Sequence, residues 1–190
     1  YILLNAEVEL DMQDPQQALA AMGAADMVVA LSAYKHHAME YADVLLPITP
    51  FTETSGTFVS SEGRVQSFKG TVQPLGDARP AWKVLRVLGN MLNIPGFDYN
   101  NSEAVRDEVL GGTDVSAKLG NVLHGVSAQT ATWNVTGLQR VSDVPIYTTD
   151  AIVRRAASLQ KTRDAATPCA LIHSVELEKL NLQSGEMVKL

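Results

Sequence analysis

"YADVLLPITPFTETSGTFVSSEGRVQ", residues 41–66, runs from a short apolar strand into a glycine-punctuated loop that holds Glu53, Glu62 and Arg64. The fold turns on whether that loop is a place where something binds or a corner of the chain. A strand end followed by hydroxyl residues and Gly56 is where ligands gather in an open α/β sheet. Gly56 and Gly63 permit close backbone approach or a positive φ. The same spacing equally fits a structural crossing secured by Glu–Arg pairing, so on the residues alone both readings stand.

Upstream, "YILL" at 1–4 is a compact apolar run. In "DPQQALAAM", Asp14 can cap a helix and Pro15 takes the first-turn position that tolerates a missing N–H. "MVVALSA" after Asp26 is another apolar, β-branched run, and a short helical segment "HHAMEYA" separates it from "DVLLPI". The order is β-α-β-(short α)-β, and apolar strands without alternation predict a parallel sheet covered on both faces. The fold class expected is therefore α/β, a Rossmann-like, largely parallel sheet flanked by helices.

Downstream, "GRVQSF" predicts a short strand. "PAWKVLRVLGNML" predicts a helix whose buried face carries Trp82, Leu85, Leu88 and Leu92, widened by Val84, Val87 and Met91. "NSEAVRDEVL" predicts a second helix capped by Ser102, with Glu103 in the first turn where the helix dipole favours an anion. Residues 111–143 are rich in Gly, Ser, Thr, Asn and Gln and are expected to connect, with a boundary near Asp143. Beyond it, "PCALIH" predicts a strand, "SVELEKLNL" a short helix, and "QSGEMVKL" a turn at Gly185 into a further strand. The expected domains are 1–143 and 144–190.

Composition narrows the function. Of 190 residues 46% are hydrophobic and 19% charged, as in an ordinary globular protein, and the net charge of -6 with scattered basic residues gives no nucleic-acid footprint. No apolar run approaches the roughly 20 residues of a membrane-spanning helix. A single cysteine, Cys169, excludes an internal disulfide and any iron-sulfur cluster or four-cysteine zinc site built from this chain alone, and points to a reducing, cytosolic setting. Its apolar surroundings predict a buried, unreactive thiol. No G-x-G-x-x-G, G-x-x-x-x-G-K-[ST], G-x-S-x-G, H-E-x-x-H or C-x-x-C occurs. His36, His37 and Glu40 lie close, and His36 with Glu40 would share a helix face able to grip a metal, but two ligands without a third read more simply as a solvated helix end.

The order A-D-V-x-L-P, E-x-x-G-T-F, E-G-R-x-Q and G-x-A-R-P-x-W, spread over residues 41–92, resembles the molybdopterin oxidoreductase superfamily. Within it, "FTETSGTFV", "RPAWKVLRVLGN" and "DAIVRRAASLQKT" resemble the large peripheral-arm subunit of bacterial NADH-quinone oxidoreductase, respiratory complex I, more than formate dehydrogenases or nitrate reductases. That resemblance implies a structural segment of such a subunit on the cytoplasmic side of the inner membrane, excised from a longer polypeptide. Electrons from NADH would pass to quinone through iron-sulfur clusters held elsewhere. It implies other complex I subunits as partners, no nucleic acid, and contact with the membrane only through the complex. It also implies no catalytic residue, metal or molybdopterin here, with Glu53, Gly56, Thr57, Glu62, Arg64 and Gln66 as remnants of a pterin loop whose polar side chains hold one another and neighbouring loops in place. Ser60 stands where the superfamily usually shows Asn, which removes an amide's donors and acceptor. "LEKLNLQSGEMVKL" resembles the entry into a following β-barrel, so residues 144–190 would be the truncated start of that domain. The alternative is part of the cofactor-binding body of a catalytic molybdopterin oxidoreductase such as a formate dehydrogenase or nitrate reductase.

Overall fold

The computed structural model describes residues 1–120, 122, 125, 127, 136–142, 144–165 and 169–188. Two compact units divide the chain, Tyr1–Thr130 and Ala131–Leu190. The first is α/β, as its sequence pattern predicts.

Three short strands, β1 (Ile2–Leu4), β2 (Val29–Ser32) and β3 (Val44–Pro47), form a parallel sheet in the order β1-β2-β3. Ile2 pairs with Val29, and Val29 with Val44. Between the first two strands lie α1 (Val8–Asp11) and α2 (Pro15–Gly23). Asp14 caps α2 as expected, its side chain accepting from Gln17 N at 3.0 Å, and Pro15 occupies the first position. Val8, Met22 and Val28 form a buried cluster against which Leu3, Ala18, Ala21 and Tyr41 pack. Leu3 points into this cluster while Ile2 and Leu4, directed oppositely along the strand, stay exposed, so the outer strand is covered on one face only. β2 is the most buried of the three strands, with Ala30, Leu31 and Ser32 all buried.

A reciprocal clasp holds the start of β2 to the approach of β3. Val28 N donates to Asp43 Oδ2 at 2.7 Å, and Asp43 N donates to the Val28 carbonyl at 2.9 Å. The segment between β2 and β3 makes a 3₁₀ turn, His37–Glu40, in place of the expected short α-helix.

After β3 the chain forms an antiparallel hairpin of β4 (Gly56–Val59) and β5 (Val65–Phe68). Helix α3 (Ala81–Met91) follows, then α4 (Ser102–Leu110). The expected apolar face of α3 is buried only in part. Trp82, Val84, Leu85 and Leu88 are half-buried, whereas Met91 is 76% and Leu92 61% exposed because the helix ends there and the chain turns away through Asn93 at φ 56°. Gly89 is the buried point of α3, lying against the Phe97 ring. The cap of α4 is Asn101, not Ser102. Asn101 Oδ1 accepts from Ala104 N at 2.8 Å, and Ser102 becomes the first helical residue.

In the second unit α5 (Ala151–Arg154) is capped by Asp150, which accepts from Ile152 N and Val153 N. Gln160 Nε2 donates to the Tyr147 and Val153 carbonyls, closing residues 147–160 into a local knot of hydrogen bonds. α6 (Ser174–Lys179) matches its expected position. The strands predicted at 168–173 and 186–190 do not form over the described residues 169–173 and 186–188, and no closed barrel is present among the described residues. An apolar run adopts a strand only with a neighbour to pair with, and none is offered here among the described residues. Cys169 is exposed and Leu171 is 94% exposed, so the buried thiol is corrected as well. Asp143, where the sequence places a boundary, and much of the connecting segment lie outside the described residues.

Candidate functional site

The stretch 41–66 is more regular than its glycines imply. Ser60 and Gly63 close a tight turn, Gly63 N donating to the Ser60 carbonyl at 2.9 Å with Gly63 at φ 82°, which only glycine adopts without strain. Ser60 Oγ accepts from Arg64 N at 3.2 Å, so the hydroxyl standing in place of the usual amide fastens the turn. Gly56 sits opposite Phe68 in the hairpin register, and the Phe68 ring covers it: a Cβ built on Gly56 would stand 2.8 Å from the ring. Phe68 stacks in turn on Phe58 with centroids 5.1 Å apart. The room above Gly63 is filled similarly by Leu119. Both glycines thus admit side chains of the chain itself.

The six loop residues do not converge. Glu53 Oε2 accepts from Leu75 N at 3.1 Å, tying the loop to the connection before α3, and Thr57 Oγ1 meets Ser67 Oγ at 3.0 Å across the hairpin. Glu62, Arg64 and Gln66 are placed on the turn and the outer hairpin, and among the described residues no side-chain hydrogen bond or ion pair joins Glu62 to Arg64. Glu53 and Thr57 therefore fasten neighbouring segments, Leu75 and Ser67, and not each other. At an exposed turn the Coulomb gain of a Glu–Arg pair is about what fixing two long side chains costs.

Beside Gly56 and Thr57 the hairpin and α4 enclose a cleft of about 300 Å³, at the small end of ligand pockets. Val59, Trp82, Val105, Val109 and Leu110 supply its apolar wall. Ser55, Ser102 and Arg106 form a polar side, where Ser102 Oγ meets Ser55 Oγ at 2.8 Å. Arg106 is engaged by Asp107 at 2.6 Å and donates to Ser67 at 3.1 Å. Glu103, next to this wall, has its carboxyl held below the usual range by its own backbone N–H and by Ser102. The wall is mainly apolar, its cation Arg106 is already engaged by Asp107, and Trp82 Nε1 is shielded without a partner.

The histidine pair also departs from its expected geometry. His37 Nδ1 lies 3.1 Å from Glu40 on the exposed side of the turn. His36 turns the other way and brings a ring nitrogen near Glu7 and Glu9, the three ligand atoms lying within 4.8 Å of one another. Glu7 is only 5% exposed. Tyr41 donates to Glu9 Oε2 at 3.2 Å, and burial, followed by the Glu9 charge and hydrogen bond, pushes its phenol up to about 12. No sequence motif announces this group, because residues 7, 9 and 36 meet only through the adjacency of β1 and β2.

Beside this geometry stand likenesses to known proteins over the first half of the chain. Residues 1–91 match the family described as molybdopterin oxidoreductase. That match spans just under half of the chain. Two relatives from Staphylococcus aureus are both provisionally named formate dehydrogenase. The one from strain USA300 is 37% identical over 92 residues, and the one from strain MRSA252 is 33% identical over 90. Each match covers 47% of this chain, and the chain covers 9% of each relative's length. Among the described residues, no helix is long and apolar enough to cross a membrane.

Proposed function

We propose that this chain is a structural portion of the body of a molybdopterin-type oxidoreductase whose substrate is a small reduced acid such as formate. The observation that carries this reading is the 37% identity over 92 residues to relatives named formate dehydrogenase. In it, residues 1–91 contribute the parallel sheet and hairpin as framework, and substrate chemistry resides in other parts of the full polypeptide. The complex I reading remains as the second, favoured by one feature: the cleft at Gly56 and Thr57 presents an apolar wall where a pterin would need polar partners. In that reading the segment is a scaffold in a peripheral-arm subunit next to other complex I subunits, on the cytoplasmic face of the membrane, and residues 144–190 open a β-barrel domain.

Elemental analysis and activity of the full-length polypeptide separate the two. The first reading expects molybdenum or tungsten near one atom per polypeptide and formate-dependent reduction of an artificial electron acceptor. Iron without molybdenum or tungsten, together with no formate oxidation, overturns it in favour of the scaffold.

A further inference from the structure

We propose that Glu7, Glu9 and His36 form a binding site for a divalent transition-metal ion of the zinc class, separate from the hairpin cleft. Their ligand atoms lie within 4.8 Å of one another, and they belong to the segments that leave the carboxyl ends of β1 and β2. Those ends are adjacent and parallel, the edge of an α/β sheet at which ligands collect. A second observation is independent of the clustering. Glu9 Oε1 is shielded from solvent and has no hydrogen-bond partner, although its other oxygen accepts from Tyr41. A carboxylate oxygen denied both water and a donor is costly to fold around, and a bound cation relieves that cost. No hydrogen bond joins Glu9 to the His36 ring among the described residues, so the space between them is not closed by direct pairing.

The donor set indicates the ion. One imidazole with two carboxylates suits zinc and its first-row neighbours, whereas calcium and magnesium favour oxygen ligands throughout. His36 Nδ1 accepts from Ala38 N at a long 3.2 Å. Coordination through Nε2 requires the ring proton on Nδ1, and coordination through Nδ1 uses the same lone pair. Either way the Ala38 contact is given up, and that amide becomes a reporter of binding.

The test is calorimetric titration of zinc ion into the protein carrying Cys169→Ser, which removes the exposed thiol, with the Ala38 amide followed by nuclear magnetic resonance. One ion per chain is expected, together with a shift of the Ala38 amide and the His36 ring. Glu9→Gln and His36→Gln are each expected to weaken binding at least roughly 10-fold, the lower bound for loss of even an outer-shell partner. His37→Gln, on the exposed pair, is expected to leave it unchanged. Absence of stoichiometric binding, equal affinity in Glu9→Gln and His36→Gln to that of the parent chain, or loss on His37→Gln overturns the proposal. If either variant fails to fold, unshifted His36 and Ala38 signals in the parent chain at saturating zinc overturn it alone.

Discussion

Gly56→Ala measures directly whether the hairpin corner is filled by its own aromatic ring. The added methyl would stand 2.8 Å and 3.0 Å from two Phe68 ring carbons, closer than real contacts allow, and Gly56 has no positive φ to add backbone strain. Phe68 must tilt, and its stack on Phe58 opens. Overpacking costs about 1–3 kcal/mol, and loss of an aromatic pair about 0.5–1.5 kcal/mol. Because Phe68 is only half-buried and its ring can swing outward, the expected cost is near the lower bound, about 1 kcal/mol. Urea melts of the wild type, Gly56→Ala, Phe68→Leu and the double variant give the coupling. Gly56→Ala is expected to cost little once Phe68 is trimmed, a coupling of about 0.5 kcal/mol or more. Strict additivity of the two substitutions would refute the reasoning. Gly70→Ala supplies the contrast: its new methyl would meet the Glu53 carbonyl carbon at 2.9 Å and Thr54 N at 3.0 Å, backbone atoms that cannot swing aside, so its cost should exceed that of Gly56→Ala.

Asp14→Ala removes the acceptor of Gln17 N and should destabilise the first unit by about 1 kcal/mol, read as a lowered thermal midpoint with faster exchange of the Gln17 amide. For Tyr41, folding raises the phenol from 10.0 to about 12, so the folded state holds that proton more tightly. The resulting stabilisation is complete below the unfolded value and is lost as pH rises through the folded one. Tyr41→Phe should therefore flatten the decline of the urea midpoint between pH 10 and 12, with phenolate absorbance locating the titration.

Features decided within a few residues were legible in the sequence. Asp14 and Pro15 fix the start of α2 locally, and the apolar runs at β1, β2 and β3 announce parallel strands, of which β2 alone is buried. β4 was not legible. Its four residues begin at a glycine, and Gly56 is tolerable in a strand because Phe68 lies opposite, a partner 12 positions away that no local pattern reveals. The C-terminal apolar runs misled for the converse reason, since composition favours a strand but a ladder needs a second chain segment. The candidate sites show the same division. Ser60 and Gly63 could be read as a turn, whereas the meeting of His36 with Glu7 and Glu9 depends on two strands lying side by side.

The clasp between Val28 and Asp43 bears on the order in which the sheet assembles. It closes a loop of 15 residues, while the hydrogen bond from the Tyr1 amino group to the Met27 carbonyl, at the edge of the β1 pairing, closes one of 26. The entropic difference between such loops is less than the roughly 0.6 kcal/mol of a full doubling. The nearer pair nevertheless has both members of its fastening in place before any ladder bond is needed. Assembly should then begin at β2 and β3, with β1 joining a template already set, and truncating the Asp43 side chain should slow refolding more than it speeds unfolding.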